Sequence, residues 1–281
     1  METLTTIEAT RRFVAARRQA GERIALVPTM GFLHQGHMTL IRRAHEVGDR
    51  VVVWIFVNPT QFENSADLAA YPRNTERDLE MLRSENVDAA FLPEAPEIYP
   101  EGSETIVETT KMANMLHGKV RPGHFRGVTT VVTKFFNIIQ PDAAMFGEKD
   151  YQQLQIIRRM VRDLHMPIEI VGVPTVREAD GLAMSSRNVR LTEEDRAAAV
   201  VLSHALDLAD RLAAAGTTVA ALRDAITAKI ATEPRADLKG LDIVAAETLD
   251  EISGPLTGPT AIMLSVQFGE VLLIDQRVVT P

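Results

Sequence analysis

The sequence predicts an open, parallel α/β sheet over its first two thirds and a smaller α+β domain after it. Three observations carry that prediction. Short unbroken apolar runs alternate with stretches whose apolar residues recur at helical spacing. The unusual polar segments fall just after these runs, where open α/β sheets bind ligands. Past roughly Pro174 the character shifts to Ala- and Leu-rich helices followed by short strands.

Arg23 to Pro28 (RIALVP) is the first apolar run. Leu40, Ile41, Ala44 and Val47 then repeat at helical spacing, so the segment reads as strand, tight loop and helix. Val51 to Val57 (VVVWIFV) is uninterrupted and β-branched, the mark of a strand buried on both faces. The turn-rich NPTQFENSADLAAYPRN leads to a helix near Thr75 to Glu85, and Asp88 to Leu92 reads as a third strand ending at Pro93. Val128, Val131, Val132, Phe135, Phe136 and Ile139 give the span from Gly127 to Ile139 one apolar helical face. Pro141 stops that helix, and DAAMF is a further buried strand. In the tail, Ala197 to Ala231 holds two helices parted near Gly216, with Thr192 and Asp195 as a capping pair at the start of the first. LDIVAAETL, TAIMLSVQF and EVLLIDQRV are three short strands, the last two a hairpin about Gly269. The domains are therefore placed at 1–175 and 176–281, with no internal repeat and no low-complexity linker.

The 281 residues are 46% hydrophobic and 24% charged, an ordinary globular make-up that excludes disorder and collagen-like structure. The longest apolar run is one strand long, far short of the roughly 20 residues that span a bilayer. The N-terminal METLTTIEATRRFVAARRQAGER reads as neither a secretory signal nor an anchor. Zero cysteines removes disulfides, thiol nucleophiles, iron–sulfur clusters and thiolate zinc sites, and fits a reducing cytoplasm. A net charge of −8 argues against bulk nucleic-acid binding and leaves room for a local basic pocket.

Four loops carry chemistry. In Pro28-Thr29-Met30-Gly31-Phe32-Leu33-His34-Gln35-Gly36-His37, a glycine beside two histidines at a strand-to-helix junction suits a nucleotide phosphate: backbone approach is close, the helix N-terminus is positive, and imidazoles donate. The plainer alternative is a helix cap with two partly exposed histidines; a metal site lacks an HExxH pattern or cysteine. In Phe56-Val57-Asn58-Pro59-Thr60-Gln61-Phe62, neutral amides beside an aromatic suit a small polar molecule, against a simple Asn-Pro turn. In Phe146-Gly147-Glu148-Lys149-Asp150-Tyr151-Gln152-Gln153, Lys149 offers charge to a phosphate and Asp150 an acceptor for a ribose hydroxyl or a magnesium shell, against an exposed charged turn. In Gly181-Leu182-Ala183-Met184-Ser185-Ser186-Arg187-Asn188, two hydroxyls and a guanidinium form a compact anion grip at a hinge, against a Ser/Asn-rich turn. His45, His165 and His204 read as structural or surface residues, whereas His124 lies in the basic loop GKVRPGHFRG with Lys119, Arg121 and Arg126. No GxGxxG follows a strand, and Gly118-Lys119 lacks the Walker pattern, which points away from dehydrogenases and kinases.

Taken together, PTMGFLHQGH, FVNPTQF, YPRN, RPGHFRG, FGEKDYQQL and GLAMSSRN stand in an order and spacing that resembles the pantothenate synthetase (pantoate–β-alanine ligase) family of the HIGH-motif nucleotidyltransferase superfamily. The similarity runs through most of residues 20 to 190, and the tail matches mainly in length. The resemblance implies a Rossmann-like nucleotidyltransferase domain and a smaller C-terminal domain that closes over the active site. It also implies ATP-dependent condensation of (R)-pantoate with β-alanine through a pantoyl adenylate, giving pantothenate, AMP and pyrophosphate.

By that resemblance His37, His34 and Lys149 are catalytic, with His37 the proton donor by family precedent. Met30, Gly31, Phe32, Leu33, His34, Gln35, Gly36, His37, Gly147, Glu148, Lys149, Asp150, Val176, Met184, Ser185, Ser186 and Arg187 line the ATP site. Gln61 and Gln153 hold pantoate, Gln61 also lies near β-alanine, and Asn58, Tyr71, Asp78 and Arg121 are second-rank candidates. Asn64 to Arg77 forms a mobile flap. Mg²⁺ arrives on the ATP phosphates with no dedicated protein metal site. The family precedent is a homodimer acting on small molecules, and composition and charge point to a cytoplasmic protein that binds neither nucleic acid nor membrane. Two other readings stay open: another adenylyltransferase of the same fold, acting on phosphopantetheine or nicotinamide mononucleotide, and a nucleotide-sensing module without turnover. Gln61 with Gln153, neutral amides suited to a small hydroxy acid, separates the first of these from the ligase.

Overall fold

Parallel strands covered on both faces explain why the apolar runs lack polar alternation. The computed structural model describes residues 1–62, 68–69 and 71–281, which divide into two compact units. The first, 1–147 with 152–173, is built on a parallel six-stranded sheet. Its strands are β1 (Glu2–Leu4), β2 (Ile24–Thr29), β3 (Arg50–Ile55), β4 (Ala89–Phe91), β5 (Ala143–Gly147) and β6 (Glu169–Val173), in the order β1-β4-β3-β2-β5-β6.

Alternate residues of each central strand feed opposite layers. Ile24, Leu26, Val52, Trp54, Ala144 and Phe146 pack into one core, with Phe13 and Val14 of α1 (Ile7–Gln19). Val128 to Ile139 of a long helix and Leu154 and Ile157 of the next complete that layer. Ala25, Val27, Val51, Val53, Ala143 and Met145 face the other core, with Met38, Leu40, Ile41 and Ala44 of α2 (Gln35–Val47) and Leu82 of α3 (Thr75–Ser84). The long helix is α4 (His124–Ile139), ended by Gln140 in the left-handed region ahead of Pro141, and α5 (Tyr151–Asp163) follows β5. Strand β2 is central and pairs with β3 on one side and β5 on the other; the chain passes from β2 out to β3 and from β5 out to β6, so the connections diverge between β2 and β5. That is the switch point at which open α/β sheets hold ligands.

Helix α1 and the edge strands β1 and β6 have no counterpart in the expected elements. Each carries a weak signal: β1 buries only Leu4, β6 fully buries only Val173, and α1 buries only Thr10, Phe13 and Val14. The run VVVWIFV leaves the sheet after Ile55, because Phe56 and Val57 turn toward the Asn58 loop. Of the expected flap, Asn64 to Asp67 and Ala70 lie outside the described residues.

The second unit, 148–151 with 174–281, carries an antiparallel sheet β7 (Asp237–Ala245), β8 (Thr260–Phe268) and β9 (Val271–Val279) in that order. Helices α6 (Glu193–Ala198), α7 (Val201–Ala214) and α8 (Val219–Ala231) bury Leu202, Leu206, Leu222 and Ile226 against Ile262, Leu264, Val266 and Phe268. The Thr192 hydroxyl accepts from Asp195 N–H at 3.1 Å as expected, but this cap opens the separate short helix α6, so α7 and α8 follow it where two helices in all are expected. Strand β7 starts at Asp237 and ends at Ala245, earlier than the LDIVAAETL run. Its first residues are exposed in alternation and slip register between Leu238 and Gly240, so they lack a continuous apolar signature.

Candidate active site

The loop after β2 is held in an unusual backbone shape by a buried carboxylate. Thr29 Oγ1 donates to Trp54 O at 2.9 Å and accepts from Gly31 N–H at 3.2 Å, which turns the chain out of the sheet. Gly31 has φ +80°, and a Cβ there would lie 3.0 Å from Asp78 Oδ2 and 3.1 Å from Ile55 Cγ2. Phe32 follows at φ 51°, a region that non-glycine residues seldom occupy. Asp78, 1% exposed on α3, offsets that strain: its two oxygens accept from Phe32 and Leu33 N–H, each at 2.8 Å. Arg77 donates to Leu33 O at 3.1 Å and lies 5.8 Å from the centre of the Phe32 ring.

Helix α2 then begins with a reciprocal cap made of histidines. His34 Nδ1 accepts from Gly36 N–H at 3.1 Å, and His37 Nδ1 accepts from His34 N–H at 3.2 Å. The two rings are 4.1 Å apart, centre to centre. A neutral imidazole whose Nδ1 accepts must carry its proton on Nε2. Both rings are thereby set as Nε2–H donors at the N-terminus of a helix. The capping alternative and the phosphate-binding reading are thus compatible, since capping uses one ring nitrogen and defines the other.

Asn58 organises the loop after β3. Only 1% exposed, its Oδ1 accepts from Thr60 Oγ1 and from Tyr99 Oη, both at 2.9 Å, and its Nδ2 donates to Gln61 Oε1 at 3.1 Å and Gly127 O at 3.2 Å. Burial pushes the Tyr99 hydroxyl pKa up, against a smaller lowering by Thr60, so it stays a neutral donor. Gln61 Nε2 points at Met30 Sδ, 3.1 Å away, which ties this loop to the first. His124 Nδ1 meets Gln61 O at 2.8 Å. Gly127 lets α4 come this close: a Cβ there would lie 2.5 Å from Thr60 O. Tyr71 stacks edge-on to Phe62 at 5.9 Å.

After β5, Gln153 on α5 is half-buried, and among the described residues its amide has no hydrogen-bond partner. Its neighbour Gln152 does the opposite. Buried at 5%, it donates to Met112 O at 3.0 Å and Met115 O at 2.8 Å and accepts from His117 N–H at 3.1 Å, bracing the turn that leads into the basic loop of Lys119 and Arg121.

The first unit therefore gathers Met30 to His37, Asn58, Gln61 and His124, while Gly147 ends the strand beside β2 and Gln153 lies on the helix after it. Glu148, Lys149, Asp150, Val176 and Met184 to Arg187 belong to the second unit. There Lys149 Nζ lies 3.9 Å from Asp150 Oδ2, and Met184 N–H donates to Val176 O at 2.9 Å. The Ser185 hydroxyl accepts from Arg187 N–H at 3.2 Å, and the exposed Arg187 guanidinium has no acidic partner among the described residues. His45 bonds Glu85 O at 2.9 Å on the surface, and His165 and His204 are exposed, as expected of bystanders. The bracing roles of Asp78, Tyr99 and Gln152 escape sequence reasoning. Asp78 and Tyr99 lie in segments remote from the loops they hold, and Gln152 differs from Gln153 only by which way it faces.

A parallel sheet that places imidazoles and neutral amides at the carboxyl ends of adjacent central strands is consistent with an α/β nucleotidyltransferase fold. Within that class, the chain belongs to the pantoate-beta-alanine ligase family, whose profile matches residues 2–278, a family of carbon–nitrogen ligases. It is 52% identical over its whole length to the pantothenate synthetase of Sinorhizobium medicae, covering 97% of that protein. Among solved structures, a pantothenate synthetase of Thermus thermophilus superposes with a TM-score of 0.94 at 44% identity, each chain covered in full. The pantoate-beta-alanine ligase of Francisella tularensis, complexed with beta-gamma ATP and beta-alanine, gives 0.79 at 35% identity, covering 99% of this chain and 97% of that one. No helix among the described residues is long and apolar enough to cross a membrane.

Proposed function

We propose that the protein joins pantoate to β-alanine at the expense of ATP, by way of pantoyl adenylate. The observation that carries this reading is the reciprocal cap at the start of α2, in which the Nδ1 atoms of His34 and His37 accept backbone N–H groups and so leave Nε2 of each neutral ring as the donor. In the first half-reaction a pantoate carboxylate oxygen attacks the α-phosphorus of ATP and the bond to pyrophosphate breaks. A carboxylate is already a nucleophile at neutral pH, so the step needs positioning and charge neutralisation more than a base. His34, His37 and Lys149 donate to the phosphate oxygens, with His37 as the proton donor. In the second half-reaction the β-alanine amine attacks the acyl carbon, AMP leaves with the bonding pair, and the amine loses a proton.

Around these groups, Met30 to His37, Gly147 to Asp150, Val176 and Met184 to Arg187 hold ATP. Gln61 and Gln153 hold pantoate, and Gln61 also contacts β-alanine. Mg²⁺ carried on the triphosphate supplies further charge neutralisation. Among the described residues no group of three or more His, Cys, Asp or Glu side chains is arranged to hold a metal, and an ion bound mainly through phosphate oxygens needs at most one or two carboxylates, a part Asp150 is chemically suited to. The family precedent supports a homodimer and a C-terminal domain that closes over the substrates, and the cysteine-free composition supports a cytoplasmic setting. The test is product stoichiometry: with ATP, pantoate and β-alanine, AMP and pantothenate appear in equal amounts. Release of ADP instead of AMP would overturn the reading.

A further inference from the structure

The segment that carries Ser185, Ser186 and Arg187 is tied back on itself. Glu178 N–H donates to Leu182 O at 2.8 Å, Gly181 N–H to Glu178 O at 2.9 Å and Met184 N–H to Val176 O at 2.9 Å, forming a tight hairpin. Arg177 clamps its base, reaching Asp275 through both terminal nitrogens at 2.7 and 3.0 Å and Gly181 O at 3.0 Å; Asp275 is 1% exposed. Arg196 grips the tip through Glu178 at 2.7 Å and Asp180 at 2.8 Å.

Asn188 closes the other end. Its amide nitrogen donates to Glu178 Oε1 at 2.9 Å and to Ala183 O at 3.1 Å, and its backbone N–H donates to Ser185 O at 3.1 Å. Met184 to Arg187 thus form an arc whose two feet, Ala183 and Asn188, are bonded to each other. Reversing the amide would aim its oxygen at a carboxylate and a carbonyl, so the orientation follows from the partners. Asn188 Oδ1 is left buried without a hydrogen-bond partner among the described residues. Such an orphan is costly, so what the side chain contributes is the geometry its two donors impose.

We propose that Asn188, braced by Glu178 and Arg196, is a positioning residue for nucleotide use: it sets the span of the arc so that the Ser185 and Ser186 hydroxyls and the Arg187 guanidinium meet phosphate oxygens together. This rests on the reading above that Met184 to Arg187 contact ATP. Small displacements of such groups are expensive in rate and binding.

The test compares Asn188→Ala with Arg187→Ala in the full chain, by steady-state kinetics with ATP and pantoate varied separately and by thermal melting. Asn188→Ala raises the KM for ATP roughly tenfold, changes the KM for pantoate less than about twofold, and shifts melting little. Asn188→Asp, which sets a carboxylate against Glu178 and Ala183 O, is worse, and adding Glu178→Gln, which returns a donor, recovers part of the ATP KM. A raised ATP KM in Arg187→Ala with an unchanged one in Asn188→Ala overturns the positioning role and leaves the ATP reading standing. Unchanged values in both overturn the two together. Should Asn188→Ala fail to fold, the Asp and Asp/Gln pair decides, and no recovery in the double variant overturns the role.

Discussion

The loops that bear the candidate anion-binding groups each lean on a buried carboxylate, Asp78 or Asp275, but differ in what holds the rest. In the first unit, Met30 to His37 is fixed from inside: a carboxylate 1% exposed accepts two backbone N–H groups, one of them from a residue at positive φ, and the histidines cap their own helix. In the second, Met184 to Arg187 is held by a hairpin whose tip depends on ion pairs with partly exposed partners, Arg196 to Glu178 and Asp180. Buried hydrogen bonds to a charge are strong and insensitive to salt, whereas exposed ion pairs are weak and screened. The first loop is therefore a platform held by buried bonds, whereas the second is a grip whose base Arg177 clamps to the buried Asp275 and whose tip rests on exposed ion pairs.

The largest expected effect lies on the platform. His37→Ala lowers single-turnover adenylate formation by roughly 10²-fold, the usual loss for a transition-state donor; a near-normal rate would remove the residue from the chemistry. Asp78→Ala leaves two backbone N–H groups unpaired and the strain at Phe32 uncompensated, lowering stability by about 2 kcal/mol or more in urea denaturation. A change below about 0.5 kcal/mol would show that the platform is not held as described. Gln61→Ala weakens pantoate about tenfold and ATP less than twofold in KM, the loss of hydrogen bonds to a polar substrate, and equal weakening of both would misplace the pantoate pocket.

The smallest effect is on the grip. Hydrogen bonding to Arg196 holds the Asp180 carboxyl below its ordinary pKa of 3.8. Asp180 binds its proton more weakly in the folded state, so its contribution is present above that value and is lost as the pH falls through the lowered pKa. With partners 28% and 44% exposed, a double-mutant cycle at Arg196 and Asp180 gives less than about 1 kcal/mol at neutral pH. That coupling should shrink with added salt and in strong acid, and a coupling that salt leaves unchanged would erase the contrast between the two loops.

Much of this was legible in the residues themselves. The unbroken runs at 23–28, 51–57 and 142–146 announced buried parallel strands, the second of which ends two residues early at Ile55, and the polar loops after them marked the candidate ligand-binding edge. The His-x-Gly-His pair could be read as cap or as phosphate donor, and it takes the geometry of both Nδ1 atoms to show that the cap is formed and leaves the second reading compatible with it. Other parts carried too little local signal. Three-residue β1 and half-exposed β6 bury too few side chains to stand out, and Asp78, Asn58 and Asp275 each have a partner tens of residues away in sequence. A tertiary hydrogen bond leaves no periodicity behind.

Exchange of labelled pyrophosphate into ATP tests the central claim most directly, because it reports adenylate formation without the second half-reaction. The account predicts exchange that requires pantoate, proceeds without β-alanine and collapses in His37→Ala. Exchange supported by a phosphorylated acceptor but not by pantoate, or ATP binding with no exchange under any acid, would contradict it.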